Sequence, residues 1–337
     1  MNKIMIVENF KKSNILVIGD MVADIYLKGN ISRISREAPV LILEYAGEKI
    51  VPGGAANVVN NIATLDGSVL VYGLIGDDIS GTKLKNLLEE NKINVDGLIV
   101  DYNRPTITKT RVVAGGAATV SQQVVRIDKE PKIPIDKKME SKIIKQLSND
   151  IKLVDGIVLS DYGSGMVTNK IKKFIIDYCK ENKKFCIVDS RYDILSFKGV
   201  SYVKQNEAEA AKVVGFDLLD EESIVRAGKI LLEKLQAKGI IISRGEEGMS
   251  LFEDNGAIHH IPVIDKSEVF DVSGAGDTAV AAFSLAIASG ATPVEATEIA
   301  NFAAGIAVRK LGTATVSNKE LQDVLGEYYA DCQKSNK

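Results

Sequence analysis

Residues 220–243 read DEESIVRAGKILLEKLQAKGIIIS. A helical pattern over 220–237 runs into GIIIS at 239–243, a short apolar run that reads as a buried strand. Outward from this stretch the same unit recurs. NILVIG at 14–19 is an apolar run stopped by glycine, and VLVYG at 69–73, IVLS at 157–160, FCIV at 185–188 and SYV at 201–203 read alike. Helical patterns separate them, at about 55–66, 80–91, 137–150, 168–182 and 207–214. This alternation predicts an α/β fold with a mainly parallel central sheet flanked by helices.

Two segments break the rhythm. Residues 31–51, ISRISREAPVLILEYAGEKIV, and 106–128, TITKTRVVAGGAATVSQQVVRID, alternate apolar and polar residues. They read as antiparallel ribbons with one exposed face. We expect insertions at 25–52 and 104–130 that meet as a small β-sheet lid over a cleft, on a single domain spanning 1–337. The apolar faces of the ribbons also suit a homodimer contact. The C-terminal third is helical. One helix after Gly276 should end near Gly290, and Thr292-Pro293-Val294-Glu295 is a capping box that starts another, to about Leu311.

Composition narrows the function. The 337 residues are 45% hydrophobic and 26% charged, with a net charge of −3. That balance argues against a nucleic-acid partner, which needs a basic face. Lys11-Lys12 and Lys183-Lys184 read as solvated surface. No run reaches the roughly 18 apolar residues that span a bilayer, and the start, MNKIMIVENFKKSN, lacks a signal-peptide core. A cytoplasmic protein with no membrane partner is expected. Cys179, Cys186 and Cys332 match no zinc spacing and read as reduced thiols. His259 and His260 are adjacent on a strand pattern and cannot alone form a histidine metal site.

The chemistry concentrates in FDVSGAGDTAVAAF, Phe270 to Phe283. Gly274, Ala275 and Gly276 lack bulk, so the backbone can turn tightly and present N–H groups to a ligand. A helix starts there, and its first N–H groups and dipole favour an anion such as phosphate. Asp277 would repel a resident phosphate. It fits a phosphoryl group in transit, as the base that takes a proton from a hydroxyl nucleophile while the amides hold the developing charge. A plain glycine turn with Asp277 as helix N-cap fits the same residues. Gly76 to Lys83, GDDISGTK, is not a Walker loop, and no G-x-G-x-x-G follows the first strand. A nicotinamide-dependent dehydrogenase therefore lacks its fingerprint.

With those residues in place, the chain resembles the PfkB (ribokinase-like) carbohydrate kinases from about Asn14 to Val316. Pro52-Gly53-Gly54-Ala55-Ala56-Asn57 matches the sugar-binding signature, and DVSGAGDT, Asp271 to Thr278, matches the catalytic one. The resemblance implies a ribokinase-like fold and an ATP-dependent sugar kinase with Asp277 as catalytic base and the Gly274–Ala275–Gly276 turn as anion hole. It implies sugar binding by Asp24, with Asp20 as neighbour, and by Gly53, Gly54 and Asn57. Asn206 and Glu209 form the N-x-x-E motif, with Glu209 placing Mg²⁺ through water. Ser243, Arg244, Gly245 and Gly248 resemble the nucleotide-binding turn, and Asn301 the helix residue near adenine. Asp271 and the Ser273 carbonyl resemble part of a monovalent cation (K⁺) site.

The lid narrows the likeness. Ser32 to Val40, Thr106 to Arg111, Gln123, Arg126-Ile127-Asp128, Leu159-Ser160-Asp161-Tyr162 and Leu311 to Val316 resemble the family branch that phosphorylates D-glycero-β-D-manno-heptose 7-phosphate at its anomeric hydroxyl. Lys109, Arg111 and Arg126 are the expected grips on the substrate phosphate, with arginine pairing it bidentately. Solvated charges on an exposed strand face fit those positions equally. That branch often carries a fused nucleotidyltransferase domain, and with about 20 residues after Val316 a kinase domain alone is expected. Two positions depart from the branch. Gly163-Ser164-Gly165 stands where A-K-G is usual, and Asp189-Ser190-Arg191 where D-P-K is usual. Arg191 is the candidate replacement. The alternatives are a kinase for another sugar, sugar phosphate or nucleoside, and a non-catalytic sugar- or nucleotide-binding regulator.

Overall fold

A computed structural model describes residues 3–335 apart from 117–118 and 264–268. The side chains of 116, 119–121 and 331–335 lie outside that description, and with them the Cys332 thiol. Among the described residues nine strands form one sheet: β1 (Asn14–Gly19), β4 (Ser68–Gly76), β5 (Leu98–Asp101), β8 (Gly156–Asp161), β9 (Phe185–Ser190), β10 (Tyr202–Asn206), β11 (Gly239–Ser243), β12 (Met249–Glu253) and β13 (Ile258–Ile261). Their order is β13-β12-β11-β10-β9-β8-β1-β4-β5. All neighbours run parallel except the β11–β12 and β12–β13 pairs.

The strands are apolar throughout because both faces are covered. In β1, Ile15 and Val17 face one core while Leu16 and Ile18 face the other. The same alternation puts Val158, Ile187 and Ile241 on the first side and Leu159, Val188 and Ile242 on the second. The first layer holds α1 (Lys3–Glu8), α2 (Ala55–Thr64), α3 (Ile79–Glu90), α8 (Ala275–Ala288), α9 (Pro293–Ala307) and α10 (Asn318–Ser335). The second holds α4 (Lys137–Asp150), α5 (Asn169–Glu181), α6 (Glu207–Val214) and α7 (Glu221–Leu235). Helix α8 is buried nearly all round, from Asp277 to Ala286. Its alanines admit α2 and α9 at close range, and enlarging one would overpack the core at a cost of about 1–3 kcal/mol.

The two alternating segments form a second sheet of β2 (Met21–Ile34), β3 (Leu41–Gly54), β6 (Ile107–Gly116) and β7 (Thr119–Lys129), in the order β3-β2-β6-β7. Each hairpin is antiparallel, as expected, but they join through a parallel β2–β6 pair. The cause is that β2 continues directly from β1, so it starts at Met21 rather than near 31. Ile34, Tyr45 and Ile127 lie exposed on this sheet.

Other boundaries shift for local reasons. Helix α9 stops at Ala307, short of Leu311, because the Val308 carbonyl is taken by the amides of Phe270 and Asp271. The Thr292–Glu295 capping box is present at its start. Strands β5, β12 and β13 and helices α1 and α10 were not resolved as elements from the sequence pattern, although His259 and His260 do sit on a strand, β13. Among the described residues no helix is long and apolar enough to cross a membrane.

Candidate active site

In a parallel sheet the crevice for ligands lies beyond the strand C-termini. Here Asp189, Arg191, Asn206 and Ser243 gather at the ends of β9, β10 and β11, with Lys204 two residues inside β10, and Tyr162 follows β8. They line a cavity of about 820 Å³ to which the small sheet, the head of α8 and helix α9 also contribute.

At that head, Gly274 is the helix N-cap in the left-handed region, φ 81°, which only glycine adopts at little cost. Asp277 is therefore not the N-cap, one of the two readings its sequence allowed. It is the third residue of the helix, 7% exposed, and its carboxylate lines the cavity. Asn57 Nδ2 donates to Asp277 Oδ2 at 2.9 Å and Tyr162 Oη to Oδ1 at 3.1 Å. The Asn57 amide has a forced orientation. Asn61 Nδ2 donates to Asn57 Oδ1 at 3.1 Å, so the Asn57 NH₂ must face the aspartate. Thr278 in turn donates to Asn61 Oδ1 at 3.0 Å. Burial pushes the Asp277 carboxyl up to about 6, with the Asn57 bond and the Lys204 and Arg191 charges pulling against it and Asp189 adding to it. The first-turn N–H groups of Gly276 and Asp277 have no intrahelical acceptor.

The small sheet supplies one end of the cavity. Asp24, 4% exposed, accepts from Thr313 Oγ1 at 3.0 Å and has Arg111 Nη1 3.0 Å from Oδ1. That oxygen lacks an aligned hydrogen-bond donor among the described residues, so the arginine acts on it as a charge. Lys109 and Arg126 line the same end, paired with Glu130 at 3.2 Å and Asp128 at 2.9 Å. Lys109 Nζ and the Arg191 guanidinium lie 5.1 and 4.8 Å from the Tyr162 ring centre. Gly54 lines the cavity, and a Cβ on Gly53 would come within 2.7 Å of Asp24 Cγ.

Three residues expected at the sugar site, Asp20, Gly53 and Asn57, lie outside the cavity lining. Asp20 is outside the cavity lining, because its carboxylate accepts the backbone N–H groups of Tyr162, Ser164 and Met166. It anchors the turn after β8. Asn57 is fully buried, and both ends of its amide are committed to Asp277 and Asn61. It holds the carboxylate rather than facing the cavity.

At the far end Asn206, Ser243, Gly245, Gly248 and Asn301 line the cavity. Arg244 does not. Its amide closes the turn onto the Gly248 carbonyl at 2.7 Å, and its Nε lies 3.7 Å from Glu207. Asn301 Nδ2 donates to the Pro262 carbonyl at 2.9 Å. Glu209 lines the wall as half of a capping box with Asn206, its other oxygen 3.6 Å from Arg191. Among the described residues no three acidic, histidine or cysteine side chains group to hold a metal. Asp271 accepts the amides of Ser273 at 2.8 Å and Gly312 at 3.1 Å, tying the turn before α8 to the loop after α9.

The departures also resolve in space. Ser164 is buried outside the cavity lining, with its carbonyl accepting from Arg104. Arg191 does line it. The sequence reading gave no role to Tyr162, Asp189, Lys204 or Thr313. For Lys204 a signal existed, a charge in the middle of a strand-like run, YVKQN, where charges are seldom buried unpaired.

Comparison with known proteins agrees with this geometry. The model of the pfkB family of carbohydrate kinases matches residues 12–320. The bifunctional protein HldE of Helicobacter hepaticus is 39% identical over 312 residues, covering 92% of this chain and 63% of that protein. HldE of Aliarcobacter butzleri is 40% identical over 327 residues, covering 97% and 66%. The chain thus spans just under two thirds of the length of these curated relatives. Among solved structures, ribokinase from Arabidopsis thaliana complexed with ribose and ATP superposes with a TM-score of 0.71 at 21% identity, over 93% of this chain and 98% of that one. Phosphofructokinase-2 from Escherichia coli gives 0.75 at 19%, over 94% and 99%.

Proposed function

The chain belongs to the pfkB family of carbohydrate kinases, and from that premise we propose that it transfers the γ-phosphoryl of ATP to the anomeric hydroxyl of D-glycero-β-D-manno-heptose 7-phosphate. The observation that carries the transfer is the Asp277 carboxylate, held at both oxygens beside the glycine turn and open to a cavity with room for two substrates. Asp277 takes the hydroxyl proton. The Gly276 and Asp277 amides stabilise the phosphoryl oxygens, each well-placed donor contributing about 3 kcal/mol at the transition state, while the Ala275 amide closes the turn onto the Val272 carbonyl at 3.3 Å. Most of the rate comes from positioning and charge, as is usual for phosphoryl transfer.

Asp24 lines the sugar end of the cavity, its carboxylate set in place by Arg111 and Thr313. Lys109, Arg111 and Arg126 suit the distal phosphate, although each faces a carboxylate with which the phosphate must compete. ATP extends to the Asn206, Ser243, Gly245, Gly248 and Asn301 end. Glu209, which faces the cavity, would hold Mg²⁺ through water, and the ion would neutralise phosphate charge on the nucleotide. The small sheet acts as a lid that excludes water, and its exposed Ile34, Tyr45 and Ile127 are the face through which two copies would pair.

A K⁺ dependence is also proposed, from Asp271 and Ser273 beside the turn and from a likeness, in fold alone, to phosphofructokinase-2 from Escherichia coli solved in complex with potassium. Replacing K⁺ by tetramethylammonium should then lower kcat. A second acceptor, another sugar phosphate or a free sugar, is favoured by one observation: Ser164 offers no cation to the cavity. The experiment is ADP release with Mg-ATP against a panel of free and phosphorylated sugars. Turnover on the heptose 7-phosphate alone supports the assignment. Turnover on an unphosphorylated sugar keeps the kinase and removes the heptose phosphate.

A further inference from the structure

The glycine turn is backed by an ammonium group. Lys204 is the third residue of β10, 7% exposed, and its side chain lines the cavity. A Cβ built on Gly276 would lie 2.6 Å from Lys204 Nζ. The ammonium therefore occupies the space that any larger residue at 276 would need. Its nearest carboxylate is Asp189, 3.3 Å away and directly opposite on β9. Burial works against its charge, but Asp189, Glu209 and Asp277 outweigh that and keep it protonated.

Burying an ammonium carries a desolvation penalty of several kcal/mol. Asp189, Glu209 and Asp277 offset it, but carboxylates alone give no reason for the charge to sit against the glycine turn. The chemistry at that turn gives one. Three acids, Asp189, Glu209 and Asp277, share the wall, and a phosphoryl group entering among them needs a local cation. The residue expected to bring one, at 164, is a serine outside the cavity, and Arg191 is 53% exposed in its side chain. Lys204 brings a buried cation from a neighbouring strand.

We propose that Lys204 is a catalytic residue of this kinase, its Nζ contacting the oxygens of the phosphoryl group during transfer. The inference rests on the kinase reading above. In the step, the acceptor oxygen bonds to the γ-phosphorus and the bond from that phosphorus to the β,γ-bridging oxygen breaks. The electron pair stays on ADP and the acceptor proton passes to Asp277. Lys204 stays protonated throughout and faces the charge on the non-bridging oxygens.

The test is titration calorimetry of Mg²⁺ complexes of ADP and of the β,γ-imido analogue of ATP, on wild type and on Lys204→Met. The analogue should lose about tenfold or more in affinity, as expected for a charge-assisted contact, while ADP stays within about twofold. In the coupled assay kcat should fall about a hundredfold or more with the sugar KM nearly unchanged. An equal loss for both nucleotides, or none, overturns the inference. The double variant Asp189→Asn, Lys204→Met removes both charges, so it also serves if Lys204→Met fails to fold. If Lys204 merely neutralises Asp189, the double variant regains analogue binding and turnover, which overturns the inference. Continued selective loss supports it. A wild type that binds both nucleotides but phosphorylates no sugar in the panel removes the acceptor assignment and leaves the calorimetric test standing. A wild type that binds neither removes the kinase reading and this inference together.

Discussion

Tyr162 Oη sits 3.1 Å from Oδ1 of Asp277, two residues 115 positions apart in the chain, brought together because one follows β8 and the other opens α8. With Asn57 on the second oxygen, the carboxylate cannot rotate without breaking a buried hydrogen bond. Loss of a hydrogen bond to a charged group costs about 1.5–3 kcal/mol. A base fixed in this way should be indispensable to turnover and nearly irrelevant to nucleotide affinity. Asp277→Asn keeps the shape and an acceptor for Asn57. It should lower kcat by about a hundredfold to ten-thousandfold and leave Mg-ATP binding within a few-fold. Near-normal turnover in that variant would remove Asp277 as the base.

Asp277 should also set the acid limb of the pH profile. Burial raises its carboxyl to about 6 in the free protein, so kcat/KM for the acceptor should climb as pH rises through about 6 and then level off. Asn57 stabilises the charged form. In Asn57→Leu the carboxyl should rise further and the acid limb should move to higher pH, whereas a purely structural loss would scale the whole profile without moving its midpoint.

The same shift carries a stability consequence with a definite sign. The folded value, about 6, lies above the unfolded value, about 3.9. A raised carboxyl contributes stability that is complete below the unfolded value and is lost as pH rises through the folded one. Asp277→Asn, which cannot ionise, should therefore unfold at higher urea than wild type at pH about 8, by up to about 3 kcal/mol. The gain should fade near pH 4. A gain of equal size at both pH values would show that ionisation is not its source.

The sheet cations separate by burial. Arg111 is paired with Asp24, their side chains 12% and 6% exposed, while Arg126 is 50% exposed beside Asp128. Arg111→Met strands a buried carboxylate, which should cost roughly 3–5 kcal/mol of stability as well as sugar affinity. Arg126→Met breaks a surface pair worth about 0–1 kcal/mol. Its melting temperature should hold while KM for a phosphorylated acceptor rises and KM for a free sugar does not. If KM stays constant for both, Arg126 does not hold a phosphate.

What the sequence shows of this protein follows from which contacts are local. The parallel sheet was readable because GIIIS or NILVIG declares burial on both faces within five or six residues. The Asn206–Glu209 and Thr292–Glu295 caps were readable because both partners lie within one turn. The parallel β2–β6 junction was not, since nothing in either strand encodes its neighbour 85 positions away. The site divides in the same way. Asp277 and its turn are contiguous and legible. The contacts of Asn57 are not legible because its partners at 61 and 277 are set by packing, nor are those of Asp20, whose three amide donors come from 162–166. Lys204 acquires its place only when β9 and β10 align.

That alignment yields a last contrast, between two glycines of one turn. At Gly274, φ is 81°, and a Cβ would lie 2.6 Å from Asn57 Nδ2 and 2.9 Å from a Thr313 methyl. Alanine there pays about 1 kcal/mol for the left-handed backbone and displaces the amide that holds the base. At Gly276 the backbone is ordinary helix, and the clash is with the tip of a flexible lysine. Gly274→Ala should therefore lose both stability and kcat. Gly276→Ala should keep its melting temperature and lose kcat by pushing Lys204 Nζ from its place. If Gly276→Ala instead melts far below Gly274→Ala, backbone packing rather than the ammonium sets the requirement at 276.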